Sequence, residues 1–477
     1  MKKKPSFLMG VMPIIFMIVS LTIGVGFMEL RAEPIILISA IFAGILAYRL
    51  GYKWNELQEG VIDKIARALP ATLILWSVGL LIGSWMYCGT VPMLIYYGVG
   101  IISPQYLLLT AFIISAILSM VTGTSWGSAG TIGVAIMGIA KGLNVNLAAA
   151  AGAVVAGAYF GDKLSPFSDT TNLAPIAAGS ELYEHIRHML YTTVPATIVS
   201  LIVYYIAGRG AAGGGDISGQ VIELQEQLSS VFKFSWVLVI PVIIIMAGSV
   251  MKLPTLPVMI VTSLFSVLLG VFVQGFSLKD GFVAIIKGFN VEMANTGIEY
   301  SNDIIKLINR GGVASVTATT VLVFCAMGFA GIMSKAGFLD AVLEVLLKKV
   351  KTVTGIVLST IASCCTVAFV TGSSYLSILI PGDLFSKAYV ERNLHPKNLS
   401  RTLEDSGTVL VPLIPWSAAG AYMTATLGVN TLEYLPWAVL NYTGIIFAII
   451  LAVTGIGIAK ITDEEKAQYI EKGSVNK

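Results

Sequence analysis

From residue 68 to residue 140 the chain carries no Asp, Glu, Lys, Arg or His. A water-soluble fold needs charges on its loops and outer helix faces, so a stretch of this length excludes one. At roughly 20 residues per passage, it is long enough for three crossings of a bilayer. Further uncharged runs cover residues 7–27, 189–208, 234–251, 253–278, 311–334, 352–382, 406–432 and 434–459. None has the short alternating pattern of a membrane β-barrel. Charged residues make up only 12% of the chain, against roughly 25% in soluble proteins. The chain reads as an all-α polytopic protein of the cell membrane, with the lipid bilayer as its first partner.

The run after "MKKK" is too long for the apolar core of a signal peptide and has no small-residue cleavage motif before Glu29, so it reads as the first membrane helix. Lys2, Lys3 and Lys4 place the N-terminus in the cytoplasm, and Lys466 and Lys472 place the C-terminus there too. With a net charge of +3 and no basic run or aromatic platform, no nucleic-acid partner is expected. Cys88, Cys325, Cys364 and Cys365 lie in apolar runs without a CxxC pair. His185 and His188, three apart, read as a polar helix start. No cofactor is expected, and without GxxxxGK[ST] no nucleotide-driven pump.

The chain repeats itself. "VTGTSW" at 121–126 returns as "VTGSSY" at 370–375, and Gly79 in "SVGLLIG" returns as Gly328 in "AMGFAGI", both 249 residues further on. "PIILISAIFAGIL" from Pro34 resembles "PVMIVTSLFSVLLG" from Pro257, 223 residues on. The difference of 26 residues implies an insertion in the second half, which the polar segment 290–310 fits. Residues 1–208 and 234–460 are then two transmembrane repeats, with a glycine-rich linker at 209–233 and a cytoplasmic tail at 461–477. With both termini inside, each repeat crosses an odd number of times and the two are inverted. The charges agree: "MELRAEP" is net negative, as for an outside loop, and "MKLP" positive, as for an inside one. Inverted repeats are a frequent plan of secondary transporters.

Apolar runs are broken at matching places. "TGTSWGSAG" (122–130) and "TGSSYLS" (371–377) fall in mid-run. A break frees backbone groups that must be satisfied inside the bilayer, and hydroxyls serve both them and a dehydrated cation. The densest polar cluster is "GDKLSPFSDTTNLAP" (161–175). Its Asp162, Ser165, Ser168, Asp169, Thr170, Thr171 and Asn172 offer hard oxygen ligands suited to Na⁺, with Lys163 tempering the field. A carboxylate there can hold Na⁺ or H⁺ but not both, which is exchange chemistry in one group. The second half offers "LEDSGTVLVPLIPWSAAGA" (403–421), with Glu404, Asp405, Ser406 and Thr408 as its polar set. Gly407 and Pro412 repeat the spacing of Gly161 and Pro166, which aligns Asp162 with Thr408 and Asp169 with Pro415. On that alignment the first half holds Na⁺ at Asp162 and Asp169, and the second contributes a substrate or structural half.

At these residues the chain resembles the NhaC family of sodium/proton antiporters over essentially its whole length. The resemblance implies the ion-transporter superfamily fold: two inverted repeats, each with a re-entrant hairpin and an unwound transport helix, as in dimeric elevator carriers. It implies transported Na⁺ and H⁺, a homodimer, Thr124 and Ser125 as ligands at the first hairpin tip, and Asp162 and Asp169 as ion or proton carriers. Thr371, Ser373 and Ser374 would form the second hairpin. Some members resemble exchangers of malate with protons for lactate with sodium, so a small carboxylate is the alternative substrate. An enzyme is not expected. "FGDK" is loosely similar to the Gly-Asp of intramembrane aspartyl proteases, but the run 68–140 supplies no second aspartate. Duplicated broken helices suit alternating access better than a channel.

Overall fold

The computed structural model describes residues 2–28, 30–211, 217–251, 253–348, 352–462 and 465–466. Glu29 and Lys252, used above for loop charge, lie outside them, as do linker residues 212–216 and most of the tail including Lys472. The described residues are overwhelmingly helical, and eight helices are long and apolar enough to span a membrane, or up to eleven if each bent pair is one span. The chain is a polytopic membrane protein.

The first half opens with α1 (Phe7–Leu21), capped by the Ser6 hydroxyl, and α2 (Ala32–Arg49). The 35-residue α3 (Trp54–Cys88) is amphipathic at its start and apolar beyond; it ends at Gly89, whose φ of 92° only glycine adopts readily. Then come α4 (Thr90–Ile101), α5 (Leu107–Thr122), α6 (Ser125–Ser128), α7 (Val134–Gly142), α8 (Leu147–Leu164), α9 (Asp169–Ala178) and the long α10 (Leu182–Ala211). Helix α11 (Ile217–Val231) links the halves.

The second half runs through α12 (Ile240–Val250), α13 (Thr255–Leu269), α14 (Leu278–Lys287), the short α15 (Asn302–Ile308), α16 (Thr317–Lys335) and α17 (Phe338–Lys348). It continues with α18 (Val353–Thr371), α19 (Ser374–Glu391), α20 (Pro396–Leu403), α21 (Ala418–Leu427), α22 (Thr431–Tyr434) and α23 (Val439–Thr454). Where α3 is unbroken, residues 288–316 between α14 and α16 hold only α15 and single 3₁₀ turns. The segment expected as an insertion therefore falls where the halves differ.

Helix α3 packs on this irregular segment by close backbone approach. Gly312 N donates to Gly79 O at 2.8 Å. A Cβ on Gly79 would stand 2.8 Å from Gly312 O, so nothing larger than glycine fits. Trp76 Nε1 donates to Thr320 Oγ1 of α16 at 3.0 Å. Uncapped polar groups are costly in an apolar interior, and the two bonds satisfy four of them.

From residue 107 onward the elements of the first half return 249 residues later. The ends of α5 and α18 coincide (122, 371), as do the starts of α8 and α20 (147, 396) and both bounds of α9 and α21 (169–178, 418–427). Asn144 and Asn393 share positive φ values of 52° and 58°. After α23 the chain folds back: Leu394 and Lys460 form an antiparallel bridge, and His395 N donates to Ala459 O at 3.0 Å. This strap covers the start of α20.

Candidate functional site

Two sharp turns follow α5 and α18. Gly123 (φ 71°) and Gly372 (φ 60°) make them, in the left-handed region where a side chain is strained. The next residue caps the helix that follows in each case. Thr124 Oγ1 accepts from Gly127 N at 3.2 Å, and Ser373 Oγ accepts from Leu376 N at 3.4 Å.

Each tip lies against the helix break of its own half. A Cβ on Gly123 would stand 2.7 Å from the Phe167 backbone, and one on Gly372 would stand 3.0 Å from Ser417 Cα. Each also reaches the helix after the other break. Trp126 stacks on Tyr422 of α21 with ring centroids 4.3 Å apart, and the Tyr422 hydroxyl donates to Trp126 O at 2.6 Å. Tyr375 of α19 donates its hydroxyl to Asp169 Oδ2 at 3.2 Å.

Helix α8 carries the first acid. Gly157 and Gly161 lie directly on the α5 backbone, at Phe112 O and Ala116 O. That contact buries the end of α8, and Asp162 is only 7% exposed. Its Oδ2 accepts from Ser125 Oγ at 2.7 Å, and its carbonyl accepts from Thr171 Oγ1 at 3.0 Å. The break is held by its own side chains. Ser165 Oγ donates to Met120 O at 2.8 Å, and Asn172 Nδ2 donates to Pro166 O at 2.9 Å and Ser168 O at 2.7 Å. Ser168 caps α9, accepting from Thr171 N at 3.4 Å, and shares a hydrogen bond with Thr170. A hydroxyl that donates its hydrogen keeps its oxygen lone pairs for a cation.

The second half brings two more acids to the same place. Helix α20 runs into a π turn, Glu404–Thr408. Glu404, Asp405 and Ser406 are fully buried there. Asp405 Oδ1 forms an ion pair with Lys163 Nζ of α8, and Thr170 Oγ1 donates to Glu404 Oε1 at 3.4 Å. Among the described residues, Glu404 Oε2, Asp405 Oδ2 and Thr408 Oγ1 are buried without a hydrogen-bond partner. An orphaned carboxylate oxygen is expensive away from water, so it calls for a proton or a metal ion. Arg401, one turn before Asp405, is fully buried and donates Nη1 to Gly457 O at 3.1 Å.

Most of the expected residues therefore converge, with corrections. The element register is 249 from residue 107 onward, across both breaks, not the 246 of the Gly161/Gly407 alignment. Asp162 corresponds to Val411 rather than Thr408, Asp169 to Ala418 rather than Pro415, and Ser168 to Ser417, which caps α21 as Ser168 caps α9. Asp169 is exposed at the start of α9, unlike Asp162. Thr371 donates to Val367 O at 2.7 Å within its own helix, and Ser406 similarly to Thr402 O; Ser374 opens α19. His185 and His188, expected as a polar helix start, are buried near the start of α10 and bond Ser400 at 2.9 Å and Asn398 at 3.2 Å, tying α10 to α20. The Lys163–Asp405 pair and the Trp126–Tyr422 stack were missed. Neither has a local signature in the sequence: the partners stand 242 and 296 residues apart, separations that the 249-residue repeat does not relate.

A sequence profile of the Na⁺/H⁺ antiporter family matches residues 157–456, which include both breaks and the second tip. A Haemophilus influenzae protein described as an uncharacterised Na⁺/H⁺ antiporter is 48% identical over 96% of this chain and 98% of its own. The Na⁺/H⁺ antiporter NhaC of Alkalihalophilus pseudofirmus is 38% identical over 90% of this chain and 92% of its own. A malate-2H⁺/Na⁺-lactate antiporter of Bacillus subtilis is 36% identical over 90% of both.

Proposed function

This chain belongs to the Na⁺/H⁺ antiporter family, and from that premise we propose that it exchanges Na⁺ for H⁺ at the buried acids between its two helix breaks. It is a secondary transporter of the cell membrane, with Na⁺ and H⁺ as its transported ions. The observation that carries the site assignment is the set of buried, unpartnered carboxylate oxygens on Glu404 and Asp405 beside Asp162.

In this reading Asp162 is the principal carrier. With Na⁺ bound, its carboxylate, the Ser125 hydroxyl and oxygens of the break (Ser165, Ser168, Thr170, Thr171, Asn172) replace the ion's water shell. Protonation of the same carboxylate removes the charge that held the ion, so the two cations alternate. Lys163 and Arg401 offset the acids when neither cation is bound. Asp169, held by Tyr375 at the second tip, carries the ion between the buried site and water.

The tips and breaks are proposed to act as two inverted repeats with re-entrant hairpins, the first at Thr124 and Ser125 and the second at Thr371, Ser373 and Ser374. The matching element bounds and the crossed tip contacts support this. The N-terminus is assigned to the cytoplasm on Lys2, Lys3 and Lys4, the C-terminus on Lys466 and Lys472, and a homodimer on the family resemblance. Proteoliposomes with an acid interior test the exchange: external Na⁺ should dissipate the gradient. Equal proton flux with Na⁺, K⁺ or no cation overturns it.

A further inference from the structure

Between α3, the irregular segment after α15 and the end of α21 lies a cavity of about 400 Å³. Its wall includes Arg310, Ser315, Thr319, Thr424, Asn430 and Glu433. Neither the breaks nor the tips contribute to it. We propose that this cavity binds a small organic carboxylate on the Arg310 guanidinium, beside the Thr319 hydroxyl. The site stands on its own geometry, whether or not the acid is transported.

The arginine is held in place but not used. Arg310 N donates to Ile308 O at 2.9 Å, and its carbonyl accepts from Phe289 N at 3.1 Å. Gly311 and Gly312, with φ of 87° and 80°, press the following turn onto α3, where a Cβ on Gly311 would stand 2.7 Å from Gly83 Cα. The guanidinium lies over Gly428 at the end of α21, and a Cβ there would stand 2.5 Å from Arg310 Nη2. Yet among the described residues it makes no ion pair or hydrogen bond. The nearby acid is engaged elsewhere: Glu433 Oε1 accepts from Asn430 Nδ2 at 2.7 Å.

A guanidinium is always charged, and its planar fork matches the two oxygens of a carboxylate. Of the wall hydroxyls, Ser315 donates to Gly312 O at 2.7 Å and Thr424 is bonded to Thr431 at 2.9 Å. Thr319 has no such bond among the described residues, which leaves one further donor for the ligand. One fixed cation with an exposed carboxylate at the rim suits a single carboxylate better than doubly charged phosphate.

The test is thermal unfolding of the purified full chain, titrated with sodium lactate against sodium chloride and sodium phosphate at equal Na⁺ and ionic strength. Lactate should raise the unfolding temperature saturably, and the other two salts should not. Arg310→Gln should abolish the lactate shift. If that variant fails to fold, Arg310→Lys, which keeps the charge and loses the fork, and Thr319→Val should each raise half-saturation by tenfold or more. No lactate-specific shift in the parent, an unchanged shift in the variants, or an equal effect of phosphate overturns the assignment. The readout involves no ion flux, so it succeeds or fails separately from Na⁺/H⁺ exchange.

Discussion

Lys163 and Asp405, from different halves of the chain, form an ion pair in which the side chains are 2% and 0% exposed. The pair joins the end of α8 to the π turn after α20, so it ties the two broken helices to each other. The second carboxylate oxygen of Asp405 has no hydrogen-bond partner among the described residues. Breaking such a pair strands a charge, whereas removing both members need not.

Lys163→Met is therefore expected to lower stability by about 3–5 kcal/mol, measured as unfolding in detergent. Adding Asp405→Leu should recover most of the loss. A double variant as unstable as the single would show that the residues do not act as a pair.

Asp162→Asn should abolish Na⁺-dependent dissipation of a pH gradient while the protein remains folded, because an amide keeps the shape but cannot exchange a proton for a metal ion. Ser125→Ala removes a hydrogen bond to a charged group, a loss of about 1.5–3 kcal/mol. Because the Ser125 oxygen is also one of the proposed Na⁺ ligands, its loss should raise half-saturating Na⁺ by roughly tenfold or more. Wild-type exchange in both variants would remove Asp162 from the site.

Tyr375→Phe deletes the exposed hydrogen bond to Asp169, a neutral donor on a charged acceptor at 3.2 Å. Exchange should slow several-fold without loss of Na⁺ specificity, since the tip stays capped by Ser373. Asp169→Asn should be the more severe of the two. The check is initial rates at saturating Na⁺.

Shared use of one carboxylate fixes the direction of the pH effect. Lowering the pH protonates the acid and takes away the Na⁺ ligand, so half-saturating Na⁺ should rise up to tenfold per pH unit on the acid side, with an unchanged maximal rate. A fall in maximal rate alone would place the protonation elsewhere.

Much of this was legible before any coordinates. Charge-free runs gave the membrane helices, and "VTGTSW" with "VTGSSY" located both tips, because Thr-Gly-Thr-Ser in mid-run satisfies neither a straight helix nor lipid. The polar cluster 161–175 points to Asp162 and Asp169 alike; burial separates them, Asp162 being 7% exposed and Asp169 open to solvent. What misled was a coincidence of composition. Gly161 and Pro166 share their spacing with Gly407 and Pro412, but Gly407 lies inside a π turn, whereas Gly161 packs on α5 near the end of α8. Lys163 was read as tempering its neighbours because nothing local announces a partner in the other half. Pairing across that distance is a property of packing, which periodicity does not record.

The matched element bounds from α5 to α9 and from α18 to α21 make chain length itself a functional quantity. A helix turns about 100° per residue. One residue added within α8 ahead of Asp162, between the contacts of Gly157 and Gly161 with α5, would rotate the acid a quarter-turn away from Ser125 and swing Lys163 off Asp405. The same addition between α10 and α11 would rotate nothing at the site. Tolerance to insertion should therefore map this transporter as sharply as substitution does. A scan of single-alanine insertions would draw its working parts as a silhouette, dark over residues 107–178 and 356–427 and pale over the linker.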